Sequence, residues 1–357
     1  MNARTEAHRR TGSKRAAAPV LAGLALVAAL IVSAVTAAAP IFTDWSEPVS
    51  LGATVNSTAA DGGPALSGDG LSLYFHSTRP GGFGGFDLWV SQRATPADPW
   101  GTPVNLGPTM NSPVEDSLPA FSADGHWMFF TSARPGGFGA ADIYGSYRAD
   151  PGDDFGWQAP VNLGANVNTA QADSGHFYLE NEGGAPQLYF GSDRPGGLGE
   201  RDLYVSELRA DESWGPAAWL PELNSSFAET RPTVRSDGLE ILFGRAIAPA
   251  STNADVWVAT RPAVDAPWSP PVNLGAPVNT SASEAHPFLT ADGTTLLFGS
   301  NRPGALGSTD IYMTTREQIL PATKDECKHG GWVRFGVFSN QGDCVSFVAS
   351  GGKNQPG

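Results

Sequence analysis

The chain has 357 residues, among them 43 glycines and 29 prolines, and a net charge of −14 at neutral pH. Glycine and proline at that density argue against a helical bundle and suit many short strands joined by tight turns. The acidity argues against nucleic acid or an anionic lipid surface as the partner, since both need cationic patches.

The first predicted element is a targeting segment, residues 1–39. Arg4, Arg9, Arg10, Lys14 and Arg15 make a basic start, and an apolar run follows from about Ala16 to Ala39. Small residues close it, with cleavage expected at Val35-Thr36-Ala37 or Ala37-Ala38-Ala39, and Pro40 favouring the earlier cut. The run is also long enough to stay as a membrane anchor. Either outcome exports the rest of the chain to the envelope or beyond, because positive charge stays inside. Without residues 1–15, which carry five basic groups and Glu6, the net charge falls to −18. Beyond this segment no long stretch keeps a 3.6-residue hydrophobic period, so almost no helix is expected.

From Trp45 onward one phrase recurs. It opens at Trp45, Trp100, Trp157, Trp214 and Trp268, and runs W-x-x-P-V-N-L-G, then N-[ST], an acid, P-x-[LFV]-[ST]-x-D-G, and L-x-F-x-S-x-R-P-G-G-x-G-x-x-D-[LI]-[YW]. Self-similarity at this period marks a propeller or solenoid, in which no unit buries its faces alone. In the second unit, Pro119–Ser122 reads as a strand and Ser122-Ala123-Asp124-Gly125 as a turn. His126–Ser132 is a strand, Arg134–Gly139 a hairpin loop, Asp142–Tyr147 a third strand and Trp157–Leu163 a fourth. Four antiparallel strands make a propeller blade. The chain begins with a lone fourth-strand phrase, Trp45–Gly52, and its last unit stops after a third strand near Thr315. The expectation is an all-β fold over residues 40–320: a five-bladed propeller whose first strand completes the last blade, so that no edge stays open.

The turns Ser67-Gly68-Asp69-Gly70, Ser122-Ala123-Asp124-Gly125, Ser236-Asp237-Gly238 and Thr290-Ala291-Asp292-Gly293, each before an apolar strand, resemble the WD40-like repeat of the TolB type. The resemblance covers roughly residues 43–316 and implies an exported bacterial propeller, most often a binding or scaffolding surface. Two units depart from the pattern. The third has Glu180-Asn181-Glu182-Gly183-Gly184 in place of the Ser-x-Asp-Gly turn, and the fourth has Ala246-Ile247-Ala248-Pro249 in place of Arg-Pro-Gly-Gly. A site needing asymmetry is expected over those two units.

Each unit carries one acid at the start of its innermost strand: Asp61, Asp116, Asp173, Glu229 and Glu284. These should ring one mouth of the channel, where Arg79, Arg134, Arg194 and Arg302 can pair with them. A residue present in every unit reads first as a fastener, with calcium on the carboxylate ring as a lesser reading. A second set, Asp87, Asp142, Asp202, Asp255 and Asp310, is expected to fix the glycine loops by accepting backbone N–H bonds. Two places after the first acid, the units differ: Gly63, Leu118, Gly175, Arg231 and His286. Arg231 and His286, with Glu229, Glu284 and His176, make the candidate ligand site, Asp61, Asp116 and Asp173 completing its ring. Phe83, Phe86, Phe138, Leu198 and Leu306 in the glycine loops either stack on a sugar or peptide or pack down onto the blade.

Cys327 and Cys344 are the only cysteines and are expected to form a disulfide in residues 321–357, read as a stapled hairpin. The leading functional expectation is a monomeric, non-enzymatic scaffold without cofactor, binding an envelope protein or glycan at the acid-ringed mouth. The alternative is a glycan-processing hydrolase with carboxylates in the central funnel, since some five-bladed propellers are glycosidases.

Overall fold

The computed structural model describes residues 40–180 and 184–354. The expected leader, 1–39, lies outside them, as do Asn181, Glu182 and Gly183.

Twenty strands form five antiparallel four-stranded sheets. The first blade is β2 (Asp61–Leu66), β3 (Ser72–Ser77), β4 (Asp87–Gln92) and β5 (Val104–Asn105). The second is β6 (Asp116–Phe121), β7 (Trp127–Ser132), β8 (Asp142–Tyr147) and β9 (Val161–Asn162). The third is β10 (Asp173–Leu179), β11 (Gln187–Ser192), β12 (Asp202–Glu207) and β13 (Ala218–Trp219). The fourth is β14 (Glu229–Val234), β15 (Glu240–Ala246), β16 (Ala254–Thr260) and β17 (Val272–Asn273). The last joins β18 (Glu284–Leu289), β19 (Thr295–Ser300) and β20 (Asp310–Thr315) to β1 (Val49–Ser50) from the beginning of the chain. The five-bladed propeller with one composite blade is therefore as the repeat implies.

Middle strands read as continuous apolar runs because they are covered on both faces by neighbouring blades. Leu73-Tyr74-Phe75, Met128-Phe129-Phe130 and Leu296-Leu297-Phe298 are buried throughout. Outer strands are far shorter than the phrase suggests: two residues pair, not the seven of Trp157–Leu163. Pro160 has no N–H to give a ladder, and the tryptophan leaves the sheet to stack under an arginine. Arg93 lies over Trp100, Arg148 over Trp157, Arg261 over Trp268 and Arg316 over Trp45, each 4.2–4.4 Å from the ring centre. The Nε of each donates to a turn carbonyl, from Gly70 to Gly293. The repeated tryptophan is thus a floor for a hydrogen-bonded guanidinium.

The blades are joined by an asparagine in each connector. Asn111 receives the Leu88 N–H and returns Nδ2 to the Leu88 carbonyl, at 2.7 and 3.0 Å. Asn168, Asn224 and Asn279 do the same to Ile143, Leu203 and Val256. Asn56 does so to Ile311, which couples the first connector to the last blade.

The C-terminal segment differs from the expected hairpin. Cys327 and Cys344 are bonded, but they staple a 3-10 stretch, Lys328–Phe335, to an α-helix, Gln341–Ala349. Asn340 is an N-cap, its side chain accepting from the Asp343 N–H. Cys344, Phe347 and Val348 then follow helical spacing onto Phe335 and Phe338. Asn340-Gln341-Gly342-Asp343, part of that expected hairpin, is the start of this helix.

Candidate functional site at the wide mouth of the channel

The channel has two unlike mouths. At the start of the inner strands sit the five repeated acids, and all five are fully buried. Asp116 is typical. Its Oδ2 accepts from the Ser112 N–H and hydroxyl at 2.5 and 2.7 Å, and its Oδ1 accepts from Arg134 Nη2 at 2.7 Å. The same Nη2 donates to the Met110 carbonyl. Asp61 with Arg79, Asp173 with Arg194 and Glu284 with Arg302 repeat this set. The fasteners lie within a blade rather than between blades.

The fourth blade keeps the clamp by another route. Arg245 replaces the serine that stands two residues before the usual arginine, and its Nε reaches Glu229 at 2.7 Å. The longer Glu side chain meets it, still receiving the Ser225 hydroxyl. Burial raises the Glu229 carboxyl above the ordinary range, against the lowering effect of Ser225 and Arg245. Arg245, two positions early, is a functional equivalent that motif reading missed.

Every ring acid is engaged by an arginine of its own blade. Among the described residues no group of three or more His, Cys, Asp or Glu is placed to hold a metal. Asp116→Ala should cost on the order of 3 kcal/mol, because Arg134 keeps its charge without a partner. Urea melts check this against Asp98→Ala, an exposed aspartate expected to change stability by less than about 0.5 kcal/mol.

Four of the five second acids behave as read from the loops. Asp87 accepts from the Phe83 N–H at 2.6 Å, and Asp142 and Asp310 accept from Phe138 and Leu306. Asp202 accepts from Leu198, and Asp255 from the Asn273 side chain. Glycine is obligatory here: a Cβ on Gly82 would lie 1.7 Å from Asp87 Oδ2. Phe83, Phe138, Leu198 and Leu306 stand about half exposed rather than packing down, while Phe86 lies against His76.

The variable position two places after each ring acid is a β-bulge. Gly63, Leu118, Gly175, Arg231 and His286 all take positive φ, from 46° to 59°, where each inner strand slips register. Leu118, Arg231 and His286 hold a left-handed conformation that costs a side-chain-bearing residue on the order of 1 kcal/mol or more. Freed N–H groups are taken by the preceding blade: Leu118 N–H donates to His76 Nδ1 at 3.3 Å and Gly175 N–H to Thr131 at 3.3 Å. The bulged side chains fill the channel. Arg231 and His176 are buried, and His286 borders only a small cavity of 280 Å³ shared with His76. The Arg231–His176–His286 group comes together as expected, but as a plug.

Burial, with Arg231 nearby, pushes His176 and His286 down to about 3, so both are neutral at ordinary pH. The unfolded chain binds a proton at His176 that the folded chain refuses, so this stabilisation is complete above pH 6.5 and fades as pH falls toward 3. His176→Gln should therefore flatten the acid limb of the stability curve by roughly 1 kcal/mol per pH unit between about pH 6 and 4. Melting midpoints across that range check it.

At the other mouth the inner strands end and the Ser-x-Asp-Gly turns rise around a funnel of 760 Å³. Phe121, Phe177 and Phe288, near the ends of three inner strands, form a partly buried apolar collar, and Trp100 and Tyr178 also line the funnel. Carboxylates stand above it. The Ser67 hydroxyl holds Asp69 below the ordinary carboxylate range. Burial opposes the same effect at Asp124, but Ser122 and the His126 N–H outweigh it. Asp292 is likewise lowered against burial by Thr290 and Thr294. Glu180 goes the other way, raised by burial and then by the charge of Asp124, with only the Ala123 N–H opposing. In the turns Asp69 and Asp124 engage only Oδ1. Asp292 engages both oxygens.

No protein-family model and no curated protein matches the chain. Solved structures do. An α-L-arabinofuranosidase from Lactobacillus brevis superposes with a TM-score of 0.53 at 15% identity, covering 74% of this chain and 92% of that one. A thermostable family-43 glycoside hydrolase gives 0.50 at 13% identity, over 74% and 91%. TolB from Acinetobacter baumannii is also matched, at 0.41 and 16% identity over 71% and 53%, too loosely to carry an argument. The shared property is the five-bladed propeller. The expectation of a non-enzymatic scaffold is corrected by these findings, since the well-superposed structures are glycoside hydrolases and match the alternative reading.

Proposed function

We propose that the chain is an exported glycoside hydrolase whose site is the wide funnel lined by Glu180 and Asp69, with Asp124 close enough to act on Glu180 by its charge. The observation that carries this reading is the split among its carboxyls: one raised by burial and a neighbouring charge, the others held ionised by hydroxyls and amides. Glycosidic hydrolysis needs such a pair, an acid to protonate the leaving oxygen and a carboxylate to activate water or attack the sugar. Glu180 is the proton donor. Burial and, after it, the charge of nearby Asp124 favour the protonated form of Glu180. Asp69, on the next blade, has Oδ2 unused by its turn and serves as the base or nucleophile, a role that Asp292 is less able to fill.

The collar of Phe121, Phe177 and Phe288, with Trp100 beside it, offers flat apolar faces on which a sugar ring can stack. Because one superposed structure is an α-L-arabinofuranosidase, arabinose-containing polysaccharides are the first substrates to try. The TolB-type resemblance survives here only as support for an exported propeller, together with the disulfide, which suits an oxidising compartment. Titrating arabino-oligosaccharides against tryptophan fluorescence tests the site. Saturable quenching that Phe121→Ser abolishes supports it; unchanged emission up to high millimolar sugar would sink it.

A further inference from the structure

The plug in the channel contains a charge that no carboxylate among the described residues pairs with. Arg231 leaves β14 at the bulge and is 2% exposed. Its Nη2 crosses the channel to the carbonyls of Pro119 and Pro64, at 2.8 and 3.2 Å, tying the fourth blade to the second and first. Its Nη1 is buried with no hydrogen-bond partner. Among the described residues no carboxylate forms an ion pair with it, and each ring acid already holds its own blade's arginine. Around it lie His76, His176 and His286, whose titration feels the Arg231 charge.

A guanidinium withdrawn from water against neutral imidazoles and two carbonyls is costly unless an anion completes it. Burial pushes Arg231 down only to about 9, so it stays cationic at neutral pH. One neighbouring imidazole has an N–H to offer an anion. His76 accepts the Leu118 N–H at Nδ1, which leaves the proton of the neutral ring on Nε2. Neither nitrogen of His176 has a hydrogen-bond partner of good geometry, and the Phe129 carbonyl only opposes the lowering by burial and Arg231.

We propose that the propeller's channel binds a small monovalent inorganic anion, chloride or bromide, against Arg231 Nη1 among the three histidines. The anion neutralises the buried guanidinium and fastens the blades around the axis. It is independent of the hydrolytic site at the wide mouth.

The test uses the full chain. Melting midpoints are measured in sodium chloride and sodium bromide against sodium gluconate at constant ionic strength. Crystals grown without halide are soaked in bromide and examined by anomalous scattering. The proposal expects a saturable rise of about 5 °C in halide and an anomalous peak beside Arg231 Nη1, both lost in Arg231→Met. Equal midpoints in all three salts would overturn it, as would a water alone at Nη1 in bromide-soaked crystals. The salt series on the unaltered chain decides even if Arg231→Met fails to fold.

Discussion

Deleting residues 43–52 lowers stability by on the order of 5 kcal/mol and removes most of the cooperativity of thermal unfolding. The segment supplies the fourth strand of the last blade, pairing Val49 with Met313 and Ser50 with Tyr312. It also brings Trp45 under Arg316 at 4.4 Å, and Ser46 accepts the Thr314 hydroxyl at its carbonyl. Arg316 is one of two arginines on the buried Glu240 of the neighbouring blade, so its loss of a floor is felt across two sheets. An open blade would also leave β20 as an unpaired edge and expose the chain to aggregation. Calorimetry on the shortened chain is the check, and a midpoint within 2 °C of the intact protein, in the sense of about 1 kcal/mol for a body of this size, would contradict closure.

Glu180→Gln should lower kcat for glycan hydrolysis by about 10²- to 10⁴-fold while leaving KM within a few-fold, the signature of a lost proton donor. The glutamine keeps the shape of the side chain but cannot release a proton. The pH profile carries the same information. With the Glu180 carboxyl raised and Asp69 lowered, activity should fall on the alkaline side as Glu180 ionises and on the acid side as Asp69 takes up a proton. Asp124→Asn removes the charge that raises Glu180, so it should move the alkaline limb to lower pH without abolishing turnover. An alkaline limb that stays put in that variant would remove Asp124 from the scheme.

Most of the architecture was legible in the chain because its period is written in the same residues five times. Trp45 without a blade before it, and Thr315 without a fourth strand after it, give both the blade count and the closure. The site was less legible. Asp61, Asp116, Asp173, Glu229 and Glu284 are conspicuous in the repeat, but whether a carboxylate is free or already held depends on which arginine folds onto it. That pairing is set in three dimensions, as Arg245 shows by replacing a loop arginine from inside the strand. The variability at Gly63, Leu118, Gly175, Arg231 and His286 was visible, but not its cause, a bulge that sends those side chains into the channel.

Glu180 had a signal of its own. It begins the turn of the third unit and stands in the place of the serine whose hydroxyl lowers Asp69 and Asp124 in the first two units. A carboxyl that takes the serine's place has no such hydroxyl beside it, and Glu180 is raised where Asp69 and Asp124 are lowered. The C-terminal helix was missed for the opposite reason: its N-cap, Asn340, belongs to a residue class shared by caps and turns, and a helix of nine residues is too short for apolar spacing to separate them.

The most direct test is to follow sugar release from arabinan and arabinoxylan by the purified full chain, with Glu180→Gln beside it. Steady release by the unaltered protein, reduced at least a hundredfold in the variant, is the expected result. No release from any polysaccharide, or equal release by both proteins, would contradict a hydrolytic site at the wide mouth.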